Sequence, residues 1–200
     1  MKWLFNMDNP FMRTLSTMAD LLVLNLLTLV CALPILTAGA AFTALNDACI
    51  RLVRGEDDTV LSDFFRAFKA NFKKGTLLWL LVLLAAAILY FDYLAALTYV
   101  PQLRAGIIAI ALLVLAVALY AFALLSRYEN TVLATIRNAA KLAVGFFPRT
   151  LVMVVFTVGL WLACFHWFNF GSLILLMFGF STPVYVCALL LNGVFEKIEK

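Results

Sequence analysis

Residues 34–53, PILTAGAAFTALNDACIRLV, decide how this chain is threaded. The proline ends a long apolar run, Leu15–Leu33, because the residue before a proline is pushed away from helical geometry. The apolar part that follows, Ala38–Val53, holds sixteen residues and carries Asn46 and Asp47. At 1.5 Å per residue it is about 24 Å long, slightly less than a bilayer core of about 30 Å. If it crosses a membrane, Pro34–Gly39 is the turn of a helical hairpin. If it does not, it is a re-entrant helix whose polar groups must face protein.

Four further apolar stretches lie downstream: Thr76–Thr98, Ala105–Leu125, Thr150–Phe168 and Ser172–Phe195. Composition agrees with a lipid environment. Apolar residues make up 66% of the 200 residues and charged residues 13%, against about 45–50% and 25% in soluble domains. Mean hydropathy is +1.04. So short a chain cannot hide that much apolar side chain from water. These figures exclude an ordinary soluble enzyme domain, and they exclude disorder. The expected fold is all-α: one integral membrane domain over residues 1–200, a polytopic bundle of about six membrane segments. A possible signal peptide (h-region Leu21–Leu36, cleavage-like Ala38-Gly39-Ala40) is read as a retained segment. Two acids, Asp8 and Asp20, precede it and Asn25 interrupts it.

The charges supply an orientation. With six crossings and an inside N-terminus, 14 of the 15 basic residues fall on the cytoplasmic side and only Arg104 lies outside. Five crossings leave 12 inside, so the positive-inside rule prefers six, with both termini cytoplasmic. The net charge of +4 is therefore a topology signal, and no nucleic-acid partner is implied. Cys31, Cys49, Cys164 and Cys187 all sit in apolar stretches without ligand spacing, as buried reduced thiols do.

Both cytoplasmic loops read as amphipathic helices lying in the headgroup plane. In the first, Leu61, Phe64, Phe65, Phe68 and Phe72 form the apolar stripe, with Asp63, Arg66 and the lysines opposite and Asp57-Asp58-Thr59 as cap. In the second, Val132, Leu133, Ile136, Ala140, Ala143, Val144 and Phe147 form the stripe, Thr135, Arg137, Asn138 and Lys141 point away, and Pro148 ends the helix. The two loops repeat at an offset of 74 residues: Asn71–Leu78 corresponds to Gly145–Val152, each opening a membrane helix. This implies a parallel pseudo-repeat about the membrane normal. At the same offset Asp92 corresponds to His166, and the two would pair if their helices were neighbours.

Candidate polar positions are Asn25, Asn46, Asp47, Asp92 and His166. Each also has a plain structural reading. Asn25 serves as interhelical glue. Asn46 and Asp47 bond to helix ends, or Asp47 pairs with Arg51 one turn on. Asp92 and His166, beside Tyr90, Tyr93 and Trp167, sit in an aromatic belt. Ser181-Thr182-Pro183 marks a kink in the last helix whose freed carbonyls the hydroxyls satisfy. The lone histidine lacks a metal-ligand partner, and no hydrolase, P-loop or dinucleotide motif occurs, so no enzyme, metal or cofactor is expected.

Several motifs together carry a resemblance. They are Asn25 with Leu33-Pro34-x-x-Thr37-x-Gly39-Ala40-x-x-Thr43-Ala44-Leu45, then Arg51-Leu52-Val53-Arg54-Gly55-Glu56, and Asp63-Phe64-Phe65-Arg66-x-Phe68-Lys69-x-Asn71-Phe72. Arg127-Tyr128-Glu129-Asn130-Thr131 and Pro148-Arg149-Thr150-Leu151 follow. The chain resembles the YesL-like family of bacterial integral membrane proteins, most closely over residues 20–80. The resemblance implies a bacterial inner-membrane location and an association with carbohydrate uptake or polysaccharide use, and it brings no catalytic residues. Three functions follow as expectations. The first is an accessory or transport-related component working with sugar-transporter subunits. The second is an independent, oligomeric transporter or channel with a polar cavity at Asn25, Asn46, Asp47 and Asp92. The third is a membrane enzyme centred on His166.

Overall fold

The computed structural model describes residues 10–55, 59–166 and 177–198, and among them all regular structure is helical. The long helices are α1 (Pro10–Ala32), α2 (Ala38–Arg54), α3 (Val60–Thr98), α4 (Arg104–Arg127), α5 (Val132–Gly145), α6 (Phe147–His166) and α7 (Ser181–Ile198). Short 3-10 turns, Ile35–Thr37 and Pro101–Leu103, join α1 to α2 and α3 to α4. Four helices, α1, α3, α4 and α6, contain segments long and apolar enough to cross a membrane.

The short second stretch is the centre of the molecule. α2 packs against α1, α3, α4 and α7, and Ala40, Ala41, Thr43, Ala44, Leu45 and Cys49 are wholly buried. Its small side chains let neighbouring backbones come close, which is how helices associate where lipid competes with every large apolar side chain. The tightest approach is to α3: a Cβ on Gly39 would collide with the Gly75 carbonyl and with Trp79 Cβ. The Thr37 hydroxyl closes the preceding turn, shared between Cys31 O (2.6 Å), one of the last carbonyls of α1, and Pro34 O (2.8 Å). Gly55, in the left-handed region at φ 68°, ends α2 with its N–H on the Arg51 and Leu52 carbonyls.

The first loop departs from expectation. Its amphipathic segment is not a separate in-plane helix but the first part of α3, which runs unbroken for 39 residues, about 58 Å. Nothing at Asn71–Thr76 forces a break, since one glycine alone does not end a helix. At the corresponding place in the second loop Pro148 removes the bond to Val144 and crowds its carbonyl. The chain therefore bends at Phe146, and Pro148 sits in the first turn of α6, so it begins that helix as well as excluding continuation of α5. The two halves of the pseudo-repeat thus share their order but not their shape.

Both expected stripes are also rotated. In α3, Phe64 and Asp63 are buried while Leu61, Phe65 and Phe72 are exposed. In α5 the buried face is Val132, Thr135, Ala139 and Ala143, with Leu133 and Val144 exposed; Phe147, which begins α6, is exposed as well. Small residues meet the neighbouring helix, and the large ones turn outward where hydrocarbon receives them at little cost. The α3–α4 hairpin shows the same logic: no residue at 79–95 or 104–115 is buried. Arg104 reaches back from α4 to the Leu97 carbonyl (3.2 Å), near the end of α3.

Residues 167–176, which hold Trp167 of the expected aromatic belt, the linker between the fifth and sixth stretches and the start of the sixth, lie outside the described residues, as do Asp57 and Asp58 of the expected cap. In the sixth stretch the chain turns at residues 179–180 before α7 begins. Pro183 explains the position, because it can neither bond to the Gly179 carbonyl nor pack against it. The four cysteines are free, with Cys49, Cys164 and Cys187 buried.

Candidate functional site

α7 begins inside the protein, where its first N–H groups have no water to bond. Asn25, wholly buried on α1, supplies the acceptor. Its Oδ1 takes the N–H of Phe180 at 2.8 Å and of Ser181 at 3.1 Å. This is N-cap chemistry provided from 155 residues away. The Ser181 hydroxyl, expected to help satisfy a carbonyl freed at the kink, is instead buried without a partner. The middle of α7 is tied to basic residues: Arg54 donates to Asn192 Oδ1 (2.8 Å) and Arg149 Nη1 to the Leu190 carbonyl (3.5 Å).

A second polar knot fixes the bend between α5 and α6. Thr150 Oγ1 lies 2.9 Å from the Ala143 carbonyl and 3.1 Å from that of Phe146, and Tyr120 Oη of α4 is 3.1 Å from the same hydroxyl. Its pseudo-repeat counterpart, Thr76, has a buried hydroxyl with no partner.

The remaining sequence-level candidates do not converge. Asp47 pairs with Arg51 at 2.9 Å, one turn on, as the spacing suggested. Asp92 and His166 are both exposed and form no ion pair with each other. Asp63, which the stripe placed on the polar face, is buried and pairs with Arg66. Among the described residues no group of His, Cys, Asp and Glu is arranged to hold a metal ion.

Of the five candidates, Asn46 lines a cavity. It is 5% exposed, its Nδ2 donates to the Phe42 carbonyl (2.9 Å), and it lines a space of about 220 Å³ at the junction of α2, α3, α4, α6 and α7. Five of the lining residues are aromatic. Phe42 lies 5.4 Å from Trp79, 6.0 Å from Phe122 and 5.5 Å from Phe180, and Trp161 lies 5.3 Å from Phe180. The Trp79 indole N–H is buried without a hydrogen-bond partner. No charged side chain lines the space. Sequence reasoning missed these rings, because each stands alone on its own helix and reads as a lipid-facing aromatic.

Fold and composition together define a polytopic α-helical membrane protein. Residues 21–93, from the middle of α1 to near the end of α3, match the family described as "Protein of unknown function, DUF624". That span holds Asn25, all of α2 and the Gly39–Gly75 crossing. No curated protein and no solved structure matches the chain.

Proposed function

We propose that this chain is a YesL-like accessory protein of the bacterial inner membrane, serving carbohydrate uptake beside a sugar transporter instead of carrying the sugar itself. The observation that carries this reading is the dispersal of the intramembrane polar groups. Asn25 is committed to the α7 cap, Asp47 to Arg51, and Asp92 to the surface. An independent sugar carrier needs such groups around one polar path, whereas here Asn46 lines a largely apolar space and the other candidates are placed elsewhere. Residues 21–93 support the YesL-like assignment, since YesL-like proteins belong to the matched family. The link to sugars comes from that resemblance, and the non-enzymatic reading from the lack of catalytic motifs.

Affinity isolation from gently solubilised membranes tests the proposal. Co-purification of sugar-transporter subunits is the expected result; recovery of a homo-oligomer alone overturns it in favour of an independent transporter. The proposed orientation, with both termini cytoplasmic, rests on the basic residues. A single cysteine placed at Gln102 should react with an impermeant reagent from outside, and one at Asn6 or Asp58 should not. Labelling at Asn6 removes the six-segment topology.

A further inference from the structure

The exposed side of α3 changes character along its length. Phe65, Lys69, Lys73, Leu80 and Leu84 are spaced by four or seven residues, with Phe72 beside them. They therefore share one face of a helix that runs unbroken from Val60 to Thr98, and all of them are exposed. Before Gly75 this side is cationic and aromatic. After it, Leu77, Leu80, Leu81 and Leu84 make it aliphatic.

The cations are not compensated within the fold. The one acid in residues 60–75 is Asp63, which is buried and pairs with Arg66. Lys69 and Lys73 stand one turn apart, so they repel each other, and neither has an acidic partner among the described residues. The lysines call for an anion, while the leucines that continue their face call for hydrocarbon. Seven residues separate Lys73 from Leu80, about 10 Å along the axis. A phosphate joined to acyl chains offers both groups at that spacing. A soluble anion offers only the first. An acidic protein segment would have to follow α3 into the bilayer, where its own charges are costly. A zwitterionic headgroup brings an ammonium to the lysines, so a lipid with net negative charge fits best.

α5 supplies a comparison. Arg137 and Lys141 are also exposed, one turn apart and without an acid on their helix. However, α5 ends at Gly145 and the chain bends there, so no aliphatic face of the same helix continues from that pair.

From this arrangement we propose that the Lys69–Lys73 face of α3 is a binding site for an anionic phospholipid. The phosphate bridges the two lysines, Phe65 and Phe72 flank the headgroup, and an acyl chain lies along Leu80 and Leu84. The site does not depend on the transporter partnership proposed above.

The test uses the full-length protein in neutral detergent micelles, titrated with dioctanoyl phosphatidylglycerol or dioctanoyl phosphatidylcholine. Native mass spectrometry counts the bound lipids and gives a Kd for the first. Phosphatidylglycerol should bind about tenfold more tightly, since each lysine near an anionic headgroup is worth about fivefold. Lys69→Gln combined with Lys73→Gln should weaken phosphatidylglycerol about tenfold by the same reasoning. The lipid-free Tm of that variant should stay level or rise, because a repulsion has been removed. Arg137→Gln combined with Lys141→Gln takes the same charge from α5 and should leave the first Kd nearly unchanged. Glycerol 3-phosphate, a headgroup without chains, should not compete even in large excess. Equal affinity for the two lipids overturns the proposal, as does an unchanged Kd in the Lys69 and Lys73 variant. Equal losses in the two double variants overturn it in favour of general attraction to a basic protein. Full competition by glycerol 3-phosphate overturns it in favour of a site for free anions.

Discussion

Replacing Asn25 with leucine isolates the contribution of a cap delivered across the bundle. Leucine keeps much of the volume and removes the single oxygen that accepts the N–H groups of Phe180 and Ser181. Losing a side-chain N-cap costs about 1 kcal/mol in ordinary helices. Each donor left unsatisfied in a dry interior costs about 1–3 kcal/mol. Here two donors share one acceptor, so their penalties do not add in full. The unfolded chain in a micelle also finds alternative partners, which lowers the measured value of polar contacts in membranes. An effect of about 2 kcal/mol follows. Asn25→Asp keeps an acceptor next to the positive end of a helix and should lose less than half as much. The assay is reversible unfolding in mixed micelles, titrated with a denaturing detergent and followed by helical circular dichroism. Amide exchange at Phe180 and Ser181 should accelerate in the leucine variant before the rest of the bundle opens. A leucine variant within about 0.5 kcal/mol of wild type, smaller than any cap this buried should give, refutes the argument. So does an aspartate variant as damaged as the leucine one.

Three other outcomes follow from the packing. Gly39→Ala should destabilise by about 3 kcal/mol or prevent folding, because the new methyl meets backbone on α3. Gly75→Ala should cost only about 1 kcal/mol, since its methyl meets Ala40 Cα and Gly39 O at 3.0 Å and alanine favours the helix interior; the same unfolding titration checks the ranking. Thr150→Val should lose about 2 kcal/mol and Tyr120→Phe about 1 kcal/mol, because the threonine hydroxyl serves the bend carbonyls and the tyrosine while the tyrosine serves only the threonine. Asp47→Asn should change stability by less than about 1 kcal/mol, its arginine partner being about one-third exposed; a larger loss would show that the pair is coupled to the α2 core.

Function depends on which polar residues are already occupied by partners within the fold. Asn25, the plainest intramembrane polar residue, has a structural role that is complete without a ligand. Asn46 has one bond, to its own helix, and sits among rings that no motif announced.

The sequence by itself determined the solvent, the helical class and the approximate limits of the apolar segments, because hydrophobicity and proline positions act locally. Proline also set two of the breaks, at Pro34 and before Pro183, and the Asp47–Arg51 pair followed from helical spacing. Tertiary structure alone decided what faced inward. In water an apolar stripe points to the core, but in hydrocarbon Leu133, Val144 and Phe147 lose nothing by turning outward, so close packing of Ala139, Ala143 and Thr135 set the rotation instead. It also decided that α2 is central, that α3 runs through its expected break, and that Asn25 caps a helix more than 150 residues away. Each of these depends on which backbones approach one another, a property of pairs of helices that no single stretch of sequence carries.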